Sequence, residues 1–342
     1  MQGVLTRVQE AIDAIKQGHL IILMDDEDRE NEGDLVMAGE FSNPDKINFM
    51  AKHARGLICV SLTKELAHRF DLQPMVSHND SKHETAFTVS IDARQAKTGI
   101  SAYERSLTIE LLCRENTSAQ DFVRPGHIFP LVAKDEGVLV RTGHTEASVD
   151  LCKLAGLKPV SVICEIMKED GSMAQRGDKF LLDFAQEHQL KILYVSDLVS
   201  YRLQTENLVH LVYKAPACFM DYHCTYIKLV DHLQREHHVY QFGNPVVPLV
   251  RFHVVQNDYA LLSQPEQYNF FLKALKTLHA QGGYLVFIDP QAKTDTMKSF
   301  GVGALILKSL GIRDFKLITT QDNPEYTALR GFGLNLLETL QP

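Results

Sequence analysis

Residues 25–34 read DDEDRENEGD and directly follow an apolar run at residues 20–24 that is typical of a buried strand. Seven of these ten positions are acidic, and Arg29 is the one base among them. A solvated surface loop is one interpretation of such a charge run. A cation site is the other, because Mg²⁺ needs only one or two protein ligands beside water and substrate oxygens. An EF-hand is excluded, since a loop counted from Asp26 has Asn31 at its glycine position and Met37 at its glutamate position.

A second candidate is the stretch RTGHTE at residues 141–146, which the sequence pattern places between a strand and a helix. The free backbone N–H groups at a helix start, with Arg141 and Thr145 beside them, would suit a phosphate group. His144 in the same stretch could bind a metal ion. An ordinary helix-capping turn is the alternative interpretation of these residues.

Two further residues could transfer protons. His127 stands in the stretch RPGHIFPL at residues 124–131, where two prolines and a glycine restrict the backbone. A histidine can act as an acid or a base near neutral pH, although a lone histidine is often a hydrogen-bonded core residue. Glu165 ends a strand predicted at residues 160–164, so it is either a solvated strand end or a carboxyl group with a raised pKa.

The composition argues against several classes of protein. The chain has 342 residues, a formal net charge of −8 and a pI of about 6.0, so nucleic-acid binding is not expected. No apolar stretch approaches the length of about 20 residues that spans a membrane, and the N-terminal residues lack the apolar core of a signal peptide. The six cysteines form no CxxC pair, so we expect reduced, buried thiols in a cytoplasmic protein.

The first part of the chain alternates between predicted strands and helices. An amphipathic helix is predicted at residues 4–15 from the helical spacing of its apolar residues. Strands are predicted at residues 20–24, 57–62, 87–91, 137–140, 160–164 and 191–195. Helical patterns lie between them at residues 146–155 and 178–188. These elements predict one α+β or α/β domain over residues 1–203.

A second, strand-rich domain is predicted over residues 207–342. It contains a long helical pattern at residues 268–281. It closes with a strand, a helix and a strand, at residues 285–288, 302–310 and 316–319.

The motifs of the first domain, taken together and in this order, resemble those of one enzyme family. The stretches that carry the resemblance are DDEDRENEGD, TAFTVSID, TGISAYERSLTI, RPGHIFPL, RTGHTEASVDL and CEIMKEDGSMA. They are similar to 3,4-dihydroxy-2-butanone-4-phosphate synthase, an enzyme of riboflavin biosynthesis, over about residues 1–200. The resemblance implies an α+β fold with an α/β sandwich, a homodimer with active sites at its interface, and a requirement for Mg²⁺ or Mn²⁺. The implied reaction converts ribulose 5-phosphate to the butanone phosphate and formate.

The resemblance also implies roles for individual residues. Glu30 and His144 would bind the metal ion, and His127 and Glu165 would be essential for catalysis. The residues that would contact the sugar phosphate are Arg29, Glu30, Asp34, Arg141, Thr142, Gly143, His144, Thr145 and Glu165. Thr142 stands where the family often has a small residue, a departure that touches no reacting group.

Residues from about 207 onward resemble GTP cyclohydrolase II, an α/β domain that is often fused behind this synthase. The similarity is best at VGA (residues 302–304), LGIR (residues 310–313) and GFGL (residues 331–334). It fails at the zinc site, where Gln256, Pro265 and Gln267 stand in place of three cysteines. Amide and proline side chains cannot replace thiolates around zinc, so the resemblance implies a degenerate domain for which no zinc is expected.

Two alternatives to a synthase with a degenerate second domain remain open. The first is a bifunctional enzyme that keeps GTP cyclohydrolase II activity through another zinc arrangement, although DPQAKT at residues 289–294 replaces the family's RQEGRG signature. CFMDYHC at residues 218–224 is the stretch that could supply such a site. The second is a regulatory protein that binds divalent ions without turnover. The retention of all four expected metal-binding and catalytic residues argues against it.

Overall fold

The computed structural model describes residues 2–27, 29–288, 299–320 and 333–341. Contacts divide the chain into two units, Met1–Tyr201 and Arg202–Pro342. The first unit contains every residue to which the sequence assigns a metal-binding, catalytic or substrate-binding role. The DPQAKT stretch lies outside the described residues, as do the first two residues of GFGL.

The first unit is built on a seven-stranded sheet whose strands lie in the order β4-β5-β3-β6-β2-β1-β7. The strands are β1 (Ile21–Met24), β2 (Gly33–Ala38), β3 (Cys59–Leu62), β4 (Ile91–Ala93), β5 (Phe122–Val132), β6 (Val160–Glu165) and β7 (Lys191–Tyr194). The α-helices are α1 (Gln2–Lys16), α2 (Pro44–Phe49), α3 (Lys64–Arg69), α4 (Ala102–Cys113), α5 (His144–Leu154), α6 (Lys179–Glu187) and α7 (Val195–Thr205).

The side chains of β1 explain why its apolar run is continuous. Ile21 and Leu23 belong to the core that α1 and α5 cover, whereas Ile22 and Met24 belong to the core that α2, α4 and α6 cover. All four residues are fully buried. A strand with helices on both faces has no solvent side and therefore needs no polar alternation. The expectation of an α+β fold with an α/β sandwich is confirmed.

Two of the predicted strands are wrong. Residues 137–140 begin with a 3₁₀ turn, Gly137–Leu139, rather than a strand. Gly137 has a φ of 59°, and the Val138 N–H donates to Asp150 Oδ2 at 2.9 Å, so the backbone turns towards α5 instead of extending. The strand predicted at residues 87–91 is displaced along the chain and forms β4.

Strands β2 and β5 are not predicted from the sequence, yet both carry site residues. Strand β2 begins at Gly33, inside the acidic run, and strands generally disfavour glycine and aspartate. Strand β5 contains both prolines of RPGHIFPL, and proline has no backbone N–H to donate to a neighbouring strand. Long-range pairing with β3 and β6 overrides these local preferences.

The second unit contains another seven-stranded sheet, in the order β14-β13-β11-β12-β10-β9-β8. Its strands are β8 (Val209–Phe219), β9 (Tyr222–Asp231), β10 (Glu236–Phe242), β11 (Leu249–Val254), β12 (Gly283–Ile288), β13 (Asp314–Ile318) and β14 (Asn335–Leu340). Its α-helices are α8 (Asp258–Leu262), α9 (Pro265–Gln281) and α10 (Ser299–Ser309). Strand β11 is parallel to both β12 and β13, whereas β8, β9 and β10 pair antiparallel. The predicted long helix and the strand, helix and strand after it are confirmed, but they do not close the domain, because β14 follows them.

The expectations about thiols and membrane segments have different outcomes. All six cysteines are free, as expected, but Cys218 is exposed, so the expectation that all of them are buried is wrong. Cys218 stands near the end of β8, the outermost strand of its sheet. In the described part of the chain, no helix is both long and apolar enough to cross a bilayer.

Candidate active site

The acidic run forms the loop that joins β1 to β2, and buried Asp25 organises that loop. Asp25 Oδ1 accepts a hydrogen bond from the Glu32 backbone N–H at 2.9 Å. Asp25 Oδ2 accepts hydrogen bonds from the Glu30 backbone N–H at 3.2 Å and from Arg29 Nη1 at 2.6 Å. Both oxygens of Asp25 therefore accept hydrogen bonds that shape the loop. Glu30 is consequently better placed than Asp25 to bind a cation.

Glu30 lies between two basic side chains. Its Oε2 is 2.7 Å from Arg29 Nη1 and 3.5 Å from His144 Nδ1. Burial by itself would raise the pKa of Glu30, but the hydrogen bond from His144 and the charge of Arg29 lower that pKa to about 2. Glu30 is consequently ionised near neutral pH and can bind a cation.

His144 is buried at the first position of α5 and is surrounded by acidic groups. Its Nε2 is 3.1 Å from the Glu32 carbonyl oxygen and 4.0 Å from Asp34 Oδ1. Burial by itself would lower the pKa of His144, but the carboxylates of Asp34, Glu30 and Asp25 outweigh burial and raise the pKa. The same negative surroundings favour a cation at this place.

Asp34 and Glu165 face the same region because the register pairs them across β2 and β6. Asp34 is almost fully buried, and its Oδ1 has no hydrogen-bond partner among the described residues. Burial raises the pKa of Asp34 above its usual range, despite the opposing effect of His144. Glu165 Oε2 accepts a hydrogen bond from the Leu57 backbone N–H at 2.9 Å, which fixes the orientation of that carboxyl group.

Arg141 is held on both sides of its guanidinium group. Its Nη1 donates to Glu146 Oε2 at 2.5 Å. Its Nη2 donates to the His83 carbonyl oxygen at 3.0 Å and to Thr85 Oγ1 at 3.1 Å. Glu146 is 1% exposed, and its other oxygen accepts the Lys134 backbone N–H at 3.0 Å. The guanidinium group is thus fixed in advance, which lowers the entropic cost of binding an anion.

Gly143 allows two arginines to approach the start of α5. A Cβ atom at this position would lie 3.0 Å from Arg29 Nη2 and would collide with Arg141 Nη1. Gly143 is the N-cap of α5, and no side chain caps the first turn. The free backbone N–H groups of that turn and the two guanidinium groups together favour an anion. A helix start within this stretch is confirmed, although α5 begins at His144 rather than at Glu146, and the 3₁₀ turn described above replaces the strand that was expected before it.

Most of the predicted site residues converge on one cavity of about 130 Å³. Those that line it are Arg29, Glu30, Asp34, Arg141, His144, Thr145 and Glu165. Thr142 and Gly143 do not line it, although Gly143 shapes it as described. Glu32, Cys59 and Thr85 line it without having been predicted. Glu32 and Thr85 stand inside quoted motifs, whereas Cys59 gives no local signal, because only strand pairing brings β3 to the cavity.

His127 does not line this cavity. It lies on β5, where its backbone N–H donates to Asp92 Oδ1 at 2.8 Å and its Nδ1 is 2.8 Å from Asp92 Oδ2. Its side chain is 42% exposed. Gly99 packs closely against the pair, since a Cβ atom there would lie 2.7 Å from His127 Nδ1. His127 is therefore oriented by the carboxylate of Asp92 and is exposed on the surface of its own chain.

The acidic cluster fits a divalent cation. One ligand atom from each of Asp25, Glu30 and His144 lies within 4.8 Å of the others. Asp34 Oδ1, a buried acceptor without a hydrogen-bond partner among the described residues, is available to a bound ion or to its water. An oxygen-rich site with one imidazole suits Mg²⁺ or Mn²⁺.

Replacement of Glu146 by glutamine is expected to raise KM for a phosphorylated substrate by about tenfold and to change kcat less. The reason is the loss of a charge-assisted hydrogen bond that positions Arg141. Steady-state kinetics measure both constants. Glu110→Gln is the matched control, since Glu110 also pairs with an arginine, Arg114, but on the exposed surface of α4. Equal effects of the two substitutions on KM would contradict a positioning role for Glu146.

Comparisons with known proteins agree with the arrangement of the first unit. The family model of 3,4-dihydroxy-2-butanone 4-phosphate synthase matches residues 9–201. The family model of GTP cyclohydrolase II matches only residues 289–341. A 3,4-dihydroxy-2-butanone 4-phosphate synthase from Helicobacter pylori is 60% identical over 98% of this chain and 99% of its own length. These matches confirm the resemblance that the motifs indicate.

Solved structures extend the likeness to both units. A two-domain 3,4-dihydroxy-2-butanone 4-phosphate synthase, RibBX from A. baumannii, is 37% identical with a TM-score of 0.78, and the match covers 97% of this chain and 98% of that one. A synthase in complex with two magnesium ions is 39% identical with a TM-score of 0.54, and the match covers 58% of this chain and 97% of that one.

Proposed function

Since the chain belongs to the 3,4-dihydroxy-2-butanone 4-phosphate synthase family, we propose that its first domain converts ribulose 5-phosphate to 3,4-dihydroxy-2-butanone 4-phosphate and formate in riboflavin biosynthesis. The observation that carries the proposal is the cavity in which a carboxylate–imidazole pair, Glu30 and His144, adjoins two fixed arginines. A bound metal ion can coordinate the oxygens of a sugar phosphate and cationic groups can bind its phosphate, and candidate groups for both line this cavity.

The phosphate end of the substrate is assigned to the start of α5. Arg141, the backbone N–H groups of His144 and Thr145, and the guanidinium of Arg29 would surround it. Thr142 and Gly143 would contribute backbone atoms, rather than side chains, to the binding of this phosphate. Substrate hydroxyl groups would then lie beside Glu30 and Asp34, which line the same cavity.

Glu30 and His144 would hold the divalent ion, with Asp34 close enough to accept a hydrogen bond from a hydroxyl group or water. Bound there, the ion would stabilise negative charge that develops on neighbouring substrate oxygens. Asp25 holds the loop in the shape that presents Glu30, since both of its oxygens are occupied. The magnesium-bound family member supports Mg²⁺, and Mn²⁺ has similar ligand preferences.

Glu165 and His127 would carry the proton transfers. The reaction begins with removal of the C3 proton to give an enediol. Loss of water and a skeletal shift follow, and a water molecule must then add back to C4 before C4 leaves as formate. Glu165 lies on the cavity wall with one oxygen fixed by Leu57, so its carboxylate can act as a general base. Several proton movements need a second group, and His127, whose ring is oriented by Asp92, has the chemistry to supply it.

The position of His127 supports a homodimer with active sites at the interface. Large apolar side chains are exposed beside both catalytic residues: Leu57 (43% exposed) next to Glu165, and Ile100 (55% exposed) next to the Gly99 contact with His127. Tyr103 on α4 is 74% exposed. A second copy that covers this apolar surface could bring its own His127 to the cavity.

A cytoplasmic location is proposed as well. The six free cysteines support it, because a reducing compartment keeps thiols unpaired. The net charge of −8 argues against nucleic acid as a partner.

The proposal predicts formate release from ribulose 5-phosphate that requires Mg²⁺ or Mn²⁺ and stops when EDTA is added. A coupled formate assay measures it, and separate reactions with the two metals compare them. The isomeric aldose ribose 5-phosphate is the control and should give no formate, because it lacks the ketone that makes the C3 proton acidic. Undiminished turnover in a thoroughly chelated sample, or no turnover with either metal, would contradict the proposal.

The second domain is proposed to have no GTP cyclohydrolase II activity. Gln256 and Gln267, which stand where that family has zinc ligands, line one cavity in which none of the described residues offers a thiolate. Full-length protein supplied with GTP, Zn²⁺ and Mg²⁺ is therefore expected to release neither formate nor a pyrimidine product. Sustained ring opening, with zinc bound in a ratio of about one per chain, would favour the bifunctional alternative.

A further inference from the structure

Glu104 stands in the first turn of α4 and belongs to a helix cap that is larger than usual. Its backbone N–H donates to the side chain of Ser101, the N-cap residue, at 3.2 Å. In an ordinary capping box, the glutamate side chain returns one hydrogen bond to the backbone of the N-cap residue. The carboxylate of Glu104 instead accepts hydrogen bonds from the Ser101 hydroxyl and from segment 97–99. It therefore does more than cap the helix.

The carboxylate of Glu104 holds three consecutive backbone N–H groups. Its Oε1 accepts hydrogen bonds from the N–H of Lys97 at 2.6 Å and from that of Thr98 at 3.3 Å. Its Oε2 accepts them from the N–H of Gly99 at 3.0 Å and from the Thr98 hydroxyl at 3.1 Å. The hydrogen bond from Lys97, together with the others, lowers the pKa of Glu104 to about 2. One anionic side chain therefore sets the path of segment 97–99.

Gly99, the last residue of this segment, lies directly against the Asp92–His127 pair. Its φ of 85° lies in the left-handed region that favours glycine. A Cβ atom at Gly99 would collide with Asp92 Oδ2, the oxygen that faces His127 Nδ1. The Asp92 side chain is only 8% exposed. Because a hydrogen bond to a charged group is stronger where water is excluded, the position of Gly99 affects how firmly Asp92 holds the imidazole.

Helix α4 also holds the backbone that follows Asp92. Buried Thr108 accepts a hydrogen bond from the Ala93 N–H at 2.8 Å, and its hydroxyl donates to the Glu104 carbonyl oxygen at 2.9 Å. The first two turns of α4 therefore contact the backbone next to Asp92 directly and its carboxylate through segment 97–99. A change at Glu104 would reach Asp92 through that segment while the Thr108 contact remains.

We propose that Glu104 is a positioning residue for His127, a role that rests on the proton transfer proposed for His127 above. Glu104 is not among the described residues that line the catalytic cavity, so it would act through Gly99 and Asp92. As a carboxylate, Asp92 accepts the Nδ1 proton of His127 and leaves Nε2 to exchange a proton with the substrate. Glu104 keeps segment 97–99 in place, and Gly99 then keeps Asp92 in the orientation that this tautomer needs.

Steady-state kinetics of Glu104→Gln in the full-length protein test the proposal. The amide keeps the size of the side chain but offers one acceptor oxygen to the three N–H groups. It should lower kcat for formate release by about tenfold and change KM by less than about twofold, because the phosphate is assigned elsewhere. Glu110→Gln on the same helix is the matched control and should leave kcat unchanged, since Glu110 pairs with Arg114 on the exposed surface. An unchanged kcat in Glu104→Gln would overturn the proposal.

A double substitution separates positioning from a general effect on folding or assembly. Asp92→Asn removes the carboxylate through which Glu104 would act, so adding Glu104→Gln to it should lower kcat further by less than about twofold. A second loss of about tenfold would show that Glu104 supports the fold and would overturn the proposal. If Glu104→Gln fails to fold, Glu104→Asp takes its place in both experiments, because it keeps the charge at the helix start but is one methylene shorter.

Magnetic resonance of protein labelled with nitrogen-15 at histidine tests the positioning without turnover. The ring signals of His127 are those lost in His127→Ala, and they are compared at a pH at which the ring is neutral. They should show mainly the Nδ1–H tautomer in the unmodified protein and in Glu110→Gln, and a larger share of the Nε2–H tautomer in Glu104→Gln. Equal shares in all three proteins would overturn the proposal. Absence of formate release from the unmodified protein would refute the proposed reaction, and the tautomer comparison would still decide whether Glu104 positions His127.

Discussion

Replacement of His127 by alanine is expected to lower kcat for formate release by about 10²-fold or more, the usual effect of removing a general acid or base. Glu165→Gln is expected to have an effect of similar size for the same reason. KM should change less in both variants, because the phosphate is assigned to Arg141 and the start of α5 rather than to these residues. Steady-state kinetics test both expectations. A variant that keeps its kcat and loses affinity would indicate a residue that positions the substrate instead of moving protons.

A mixture of the two inactive variants tests where the catalytic histidine comes from. His127 does not line the cavity of its own chain, so a composite site needs Glu165 from one copy and His127 from the other. Co-expression of the His127→Ala and Glu165→Gln chains should then restore about a quarter of the normal activity, since about half of the dimers are mixed and each has one intact site. No recovery, in a sample shown to contain mixed dimers, would place both residues in one chain's site.

Replacement of Glu30 by glutamine is expected to raise the Mg²⁺ concentration for half-maximal activity by at least about tenfold, because an amide oxygen binds a hard cation far more weakly than a carboxylate does. Glutamine keeps the volume of the side chain, and Asp25 still organises the loop through the backbone N–H groups of Glu30 and Glu32. The effect should therefore come from the lost charge. Activity measured over a series of Mg²⁺ concentrations, together with calorimetry of Mg²⁺ binding, gives the comparison.

Glu27→Gln is the matched control for this effect. Glu27 belongs to the same loop and has the same charge, but its side chain is 72% exposed, and its ion pair with Arg176 measures 3.8 Å. Its loss should change the Mg²⁺ requirement by less than about twofold, since exposed charges are screened by solvent and salt. Similar shifts in the two variants would mean that the overall negative charge of the loop attracts the metal and that Glu30 has no special role.

The sequence by itself determined the family, the layered α+β architecture and most of the chemical groups of the site. The acidic run, the start of α5 at His144 and the end of β6 at Glu165 are local features, and each depends on residues that are neighbours in the chain. Apolar periodicity and helix-start signals report such local features well. The continuous apolar run of β1 likewise indicates a strand covered on both faces.

The tertiary structure alone decided how these groups divide their roles. The loop hydrogen bonds show that Asp25 shapes the loop, whereas Glu30 lies between Arg29 and His144, a distinction that a run of seven acids does not contain. Strand pairing brought Cys59 to the cavity and kept His127 beside Asp92, outside it. Sheet order depends on contacts between distant segments, and local propensity does not encode those contacts.

The cavity of the second domain likewise depends on contacts between distant segments. Gln256 and Gln267 were recognised in the sequence as positions that had lost zinc ligands, and that loss concerns residue type alone. Their convergence with Arg251 on one cavity became visible only in the fold, because three strand ends and the first turn of α9 meet there. Side-chain chemistry is a property of the residue, but a binding site is a property of the distances between residues, and the packed chain sets those distances.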